Sequence, residues 1–334
     1  MSHIIGKSFD FGGECGVAFF FMLSGFVLSY NYGKEISEDT FRPVRFLEKQ
    51  LAKFYPLHVL TFVVMILLDA RLGRFFEWEK LVANLLLLQS WVPSDNFYYV
   101  GNGLSWFLSD LLFFYVVFPF VYRLLMHTSV RRLLVGAVVV LTLYATLAVY
   151  IPERMINPLL YAAPWTRLLD FSIGIIVLRF YLSETGKTFN AWLANKSTAM
   201  VTQAEIVLTI AVLVSFFFYE HASLRFRCAS FFWLILPAVI YLFVATDQLS
   251  GYVTKLLHQP LMQWLGGISF EIYLMHYVTM RILYSGLASI GVNEEGRLTL
   301  PVLLLTLVVI FIVSYLTRRF FVSPIYARLL LLIK

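Results

Sequence analysis

Apolar residues in this 334-residue chain come in long runs, and the runs recur from one end to the other. They fall at roughly 14–30, 55–70, 81–92, 104–124, 132–151, 165–182, 204–219, 229–246, 264–287 and 299–321. A segment that crosses the hydrocarbon core of a bilayer needs about 20 mostly apolar residues, and every run except 81–92 approaches that length. Composition closes the alternative: 60% hydrophobic residues, 14% charged residues and a mean hydropathy of +0.79 exceed what a soluble domain of this size can hide. The expected fold is all-α, a polytopic integral membrane helical bundle forming a single membrane-embedded domain over 1–334. It has about nine transmembrane helices plus one short re-entrant or interfacial helix at 81–92.

Charge sets the orientation. Loops 31–54, 123–132, 179–202, 247–258 and 318–334 alternate on one side if 81–92 does not cross, and they hold 16 of the 26 Lys and Arg residues. The positive-inside rule makes that side cytoplasmic and puts the amino terminus outside. If 81–92 did cross, Arg123, Arg131 and Arg132 would change sides and the bias would vanish. A net charge of +6 suits loops facing an anionic leaflet, and no basic run interleaved with aromatics suggests nucleic acid. The opening residues lack the regions of a cleavable signal peptide. Cys15 and Cys228 give neither a metal spacing nor a disulfide framework, and no histidine pair has ligand spacing, so no metal is expected.

Polar residues inside the apolar runs are the candidates for chemistry. His3 precedes the stretch Ala18 to Tyr30, whose aromatic and aliphatic residues surround a single Ser24-Gly25 step. An imidazole titrates near neutrality and suits removal of a hydroxyl proton. In Gln50-Leu51-Ala52-Lys53-Phe54-Tyr55-Pro56, residues 50 and 53 share a helix face, with Arg45 and Lys49 about a turn back. These are either ordinary positive-inside anchors or a clamp for phosphates. Trp106-Phe107-Leu108-Ser109-Asp110 begins a segment that runs to Pro119 and carries an intramembrane aspartate near its outer end. Arg167 and Asp170 are three apart and pair, either as a structural ion pair or with Asp170 orienting a base or a substrate hydroxyl. In Trp264 to His276, the side chains of Ser269, Tyr273 and His276 fall within about 60° of one another at 100° per residue, while Glu271 points elsewhere. That polar stripe either faces a cavity or makes helix–helix hydrogen bonds.

Taken in order, these pieces resemble the membrane-bound acyltransferase-3 family, whose members O-acetylate bacterial surface polysaccharides and related glycans. The resemblance spans nearly the whole chain. It implies that His3 is the catalytic base, with Asp170 or Asp110 its helper. It further implies that Arg45, Lys49, Gln50 and Lys53 hold the donor's phosphates, and that Ser24, Trp106, Arg167, Ser269, Tyr273 and His276 line the substrate path. The donor would be acetyl-CoA or another acyl-CoA, with no permanently bound cofactor. The acceptor would be a hydroxyl of a surface polysaccharide or lipid-linked glycan, and the location a bacterial inner membrane.

The chain departs from the family pattern at three points: Gln50 replaces an arginine, Leu111 stands where many members carry glutamate, and Val322 replaces a glutamate two residues before Pro324. The family's first helix, which carries the catalytic histidine at its outer end, is expected to be missing here, because the chain begins where that helix ends. Two rival readings remain at the level of sequence: a transporter or flippase-like carrier of a lipid-linked sugar, and a folded but inactive family member. The oligomeric state is open.

Overall fold

The computed structural model describes residues 13–228, 231–245, 251–289 and 300–333, and every regular element among them is helical. In chain order the α-helices are α1 Gly13–Ser37, α2 Pro43–Arg71, α3 Trp78–Leu85, α4 Asp95–Tyr98, α5 Trp106–His127, α6 Val130–Tyr150, α7 Pro164–Leu182 and α8 Glu184–Ala194. They continue as α9 Thr198–His221, α10 Leu224–Cys228, α11 Leu236–Ile240, α12 Tyr252–Leu257, α13 Pro260–Gly267, α14 Ser269–Ser289, α15 Leu300–Thr317 and α16 Ser323–Leu332.

Seven helical stretches among the described residues are long and apolar enough to cross a membrane: α1, α2, α5, α6, α9, Arg225–Val244 and Leu300–Leu332. Helices α7 and α14, of 19 and 21 residues, have a span's length but carry charge: Arg167, Asp170 and Arg179 on the first, Glu271 and Arg281 on the second. The run at 81–92 supplies only the eight-residue α3, about 12 Å long at 1.5 Å per residue, too short to cross. The protein is thus a polytopic helical membrane protein.

The chain divides into two compact units. Among the described residues, the first takes those of Arg42–Leu112 and Trp264–Lys334, and the second those from Gly13 to Phe41 and of Phe113–Gln263. In the first unit, α2 packs against α14 and α16, and α14 against α15. An ion pair fastens α2 to α14: Arg281 Nη2 lies 2.8 Å from the buried Asp69 Oδ1. A bare carboxylate in such surroundings is costly, and the arginine removes that cost.

The second unit is built on the crossing of α1 and α7. A Cβ added to Gly25 would sit 2.0 Å from the carbonyl oxygen of Phe171, and one added to Gly174 would sit 1.8 Å from that of Met22. Glycine at both positions lets the two backbones touch, which is how helices associate where no hydrophobic gain drives them together. Aromatic rings fill in around the crossing. Phe114 meets Phe21 edge-on at 4.9 Å and lies 5.2 Å from Phe171, which Phe118 meets at 6.0 Å. By contrast α6 leaves nearly all its large apolar side chains exposed, as a helix bathed in lipid does.

Gly25→Ala and Gly174→Ala are each expected to destabilise the purified protein by about 1–3 kcal/mol, the usual cost of overpacking. Gly136→Ala, where nothing lies within 4 Å inside α6, should not destabilise and should raise stability by up to about 1 kcal/mol. Thermal unfolding in detergent distinguishes them, and an unaltered midpoint for Gly174→Ala would contradict the close crossing.

Candidate active site

From the end of α3 to the start of α5 the first unit has only short helical turns, the four-residue α4 among them, and this part of the chain is rich in buried polar side chains. Asn84, Gln89, Ser90, Asn102 and Ser105 are all inaccessible to solvent. Two sharp backbone features shape it: Leu87 has φ +58° and Gly101 has φ +65°. A non-glycine residue at positive φ costs energy, so the surroundings must hold it. They do so with side-chain hydrogen bonds. Asn84 donates to the carbonyl of Val100 at 2.8 Å and to Ser105 Oγ at 3.2 Å. Gln89 donates to the same Ser105 oxygen at 3.3 Å. Ser109 donates to the Leu87 carbonyl at 2.6 Å, Asn102 to the Leu274 carbonyl of α14 at 3.0 Å. Amide and hydroxyl groups here do for the backbone what a helix ladder does elsewhere.

Asp110 belongs to this cluster. Its carboxylate is fully buried and Oδ1 accepts from Ser90 Oγ at 2.8 Å, with Ser109 Oγ 2.6 Å from the same serine oxygen. Trp106, one turn earlier, is also buried. On α14, Ser269, Tyr273 and His276 are all half-buried. The Tyr273 hydroxyl donates to the Leu104 carbonyl at 3.3 Å, and its ring lies 5.2 Å from Phe107. His276 Nδ1 is 3.1 Å from the Ile272 carbonyl, which can only accept, so Nδ1 carries the hydrogen. Glu271 faces another way and pairs with Arg318 at 3.4 Å.

On α2, Arg45, Lys49 and Gln50 are half-buried and Lys53 is exposed. Arg45, Lys49 and Lys53 follow one another at intervals of four and so run down one side of the helix, with Gln50 turned about 100° from Lys49. The Nε of Arg45 is a buried donor with no partner among the described residues. Three residues of the predicted site lie in the second unit. Ser24 is half-buried beside the crossing glycine. Arg167 and Asp170 are buried and paired at 2.9 Å, and the Trp233 indole donates to the other carboxylate oxygen. Arg167 also donates through Nε to the Tyr161 carbonyl at 2.5 Å and lies 4.7 Å over the Tyr161 ring. Both ions are therefore spent on neighbours, which is the arrangement of a fastening. His3 lies outside the described residues.

Sequence reasoning passed over His58, the most enclosed imidazole in the described residues. It sits on α2 with no exposed surface, flanked by the rings of Tyr55 at 5.7 Å and Phe62 at 6.2 Å. Nε2 is 3.0 Å from the Asn84 carbonyl and must be its donor, so Nδ1 holds the lone pair, and Nδ1 has no partner among the described residues. A lone imidazole in an apolar helix is itself a signal, and Tyr55-Pro56-Leu57-His58 displayed it. The partners of Asn84 and Trp233 had no such signal, since spacing does not say which distant carbonyl or carboxylate an amide or indole will meet. The bracket gives a direct expectation. His58→Ala orphans the Asn84 carbonyl and opens a void, and should lower stability by about 2 kcal/mol or more. His58→Gln, whose amide can reach the same carbonyl, should cost less than half of that. Chemical unfolding of the two variants checks it, and equal losses would contradict the bond.

Comparison with known proteins places this geometry. Residues 1–319 match the acyltransferase domain family. The chain is 32% identical over 287 residues to the acyltransferase MdmB of Streptomyces mycarofaciens, an alignment covering 80% of this chain and 68% of that protein. It is 24% identical over 331 residues to YrhL of Bacillus subtilis strain 168, which is named as a peptidoglycan O-acetyltransferase; 94% of this chain and 50% of that protein are covered. A stretch of 49 residues is 49% identical to protein 2 of the picA locus of Rhizobium radiobacter, covering 15% of this chain and 26% of that one. No solved structure matches. The chain spans only half of the Bacillus relative but about two thirds of the Streptomyces one, and with the family match over almost its full length it belongs to the acyltransferase domain family, as an integral membrane O-acyltransferase.

Proposed function

We propose that the protein transfers an acetyl or other short acyl group from acyl-CoA to a hydroxyl of a cell-surface polysaccharide or lipid-linked glycan, in the inner membrane of a bacterium. One observation carries the reading furthest. Helix α2 bears a stripe of cations at its start and a buried imidazole deeper in. Arg45, Lys49 and Lys53 share one side of α2, whereas His58, about 20 Å further along the axis at 1.5 Å per residue, falls on the opposite side at 100° per residue. A diphosphate held by Arg45, Lys49 and Lys53 would sit where acyl-CoA arrives from the cytoplasm, and the buried Nε of Arg45, without a partner among the described residues, supports that use. Lysine offers a point charge and no planar fork, so Arg45 supplies the directional part of the grip in place of the arginine that Gln50 replaces.

The chemistry follows. His3, the base by resemblance, takes the proton of the acceptor hydroxyl as its oxygen attacks the thioester carbonyl. The carbon–sulfur bond breaks, an ester forms, and the proton passes on to the departing thiolate to give the free thiol of CoA. Ser269, Tyr273 and His276 line the donor's arm. Asp110 or Asp170 would be its helper, and both oxygens of Asp170 already meet Arg167 and Trp233. The acceptor class draws on the name of the Bacillus relative and on the family resemblance.

Purified protein given acyl-labelled acetyl-CoA and a surface glycan is expected to label the glycan. His3→Ala should lower kcat about 100-fold or more. Arg45→Ala with Lys49→Ala should raise the KM for acetyl-CoA about tenfold while changing kcat little. Movement of a lipid-linked sugar across the bilayer without acyl transfer would favour a carrier and contradict the reading.

A further inference from the structure

The second unit contains an apolar cavity of about 790 Å³ between α7, α8, α9 and α11, at the size of sites that take a small molecule. Its walls are almost wholly hydrocarbon. Ile176 and Phe180 come from α7, Phe189 and Trp192 from α8, Met200 from α9, and each of these five side chains is between 40% and 51% exposed, so the cavity opens to the surface. A groove of this kind on a helix bundle that lives in lipid is filled by hydrocarbon chains. What distinguishes it is the mouth.

Helix α8 is a short amphipathic link between two long helices. Phe189, Trp192 and Leu193 turn one side to the groove, whereas Glu184, Lys187 and Thr188 lie on its exposed side. A helix with a Trp-bearing apolar face and a charged opposite face lies at headgroup level. Lys187 is neutralised there by Glu184 at 2.8 Å. Lys196 is not: among the described residues no carboxylate pairs with it, and its ammonium sits over the Trp192 ring at 4.3 Å, on the rim of the groove. The loop that carries it is also one of those that charge bias assigns to the cytoplasmic side. An uncompensated cation at headgroup depth beside an apolar slot is complementary to one class of molecule, an anionic amphiphile.

We propose that this groove is a binding site for an anionic phospholipid of the cytoplasmic leaflet. One acyl chain lies along α7 and α9, and the phosphate meets Lys196 with the Trp192 indole beside it. The site is independent of the acyl-transfer reading and uses none of the residues assigned to it.

The test uses the full chain in nanodiscs of phosphatidylcholine doped with a phosphatidylglycerol that carries a photoreactive group at the end of its acyl chain. Cross-links read by mass spectrometry are expected on residues of α7 to α9 that line the groove. They should be lost in Ala204→Trp, which fills the slot, a variant whose folding is verified by its unfolding curve. Native mass spectrometry after mild delipidation should show phosphatidylglycerol retained about fivefold over phosphatidylcholine, the effect of roughly one basic residue at the surface, and Lys196→Glu should abolish that preference. Inorganic phosphate should not displace the lipid, because the hydrocarbon chain carries the binding. Cross-links confined to other helices would overturn the proposal. So would equal retention of the two lipids by the unsubstituted protein and Lys196→Glu, or links that join two copies of the chain across this groove.

Discussion

Backbone amides and carbonyls that leave a helix inside a protein bathed in lipid must find partners within the chain, because the solvent offers none. The structure depends on how the stretch between α3 and α5 meets that demand. Asn84, Gln89, Asn102, Ser105 and Ser109 turn their side chains onto neighbouring carbonyls and onto one another. His58 joins from α2 and Asp110 completes the set from α5. The same bonds that allow the backbone to be irregular also gather buried polar atoms in one place, Asp110 among them.

Much of the architecture was legible in the residues. The apolar runs gave the helices, and the shortness of 81–92 already separated it from the spans, because α3 cannot reach across a bilayer. Gly25 stood out in the Ser24-Gly25 step, and the structure gives it a physical meaning as the half of a helix crossing that faces Gly174. On α14 the 100° rule separated Glu271 from Ser269, Tyr273 and His276, and the glutamate does pair elsewhere, with Arg318. What stayed hidden shares a cause. Asn84 reaching Val100, Asn102 reaching Leu274 and Trp233 reaching Asp170 are long-range partnerships of groups that look ordinary in sequence. Period and composition describe one helix at a time and say nothing of which carbonyl lies opposite.

The two ion pairs show how the membrane setting sorts charges. Asp69 with Arg281 and Asp170 with Arg167 each lie within one unit, and each carboxylate is buried against its arginine. Removing one partner from such a pair strands a buried charge at a cost of roughly 3–5 kcal/mol, so their presence is accounted for without catalysis. On the proposed readings, ligands meet cations outside such pairs, those at the start of α2 and Lys196 at the rim of the groove.

The central claim is that the acyl end of the donor arrives among the buried polar groups gathered around the 84–110 stretch and α14. An acyl-CoA carrying a photoreactive group on its acyl chain, irradiated with the purified protein and mapped by peptide mass spectrometry, addresses it directly. The account predicts label on residues between Leu81 and Asp110 or between Ser269 and His276, diminished by excess acetyl-CoA. Label confined to residues 113–263 would contradict it.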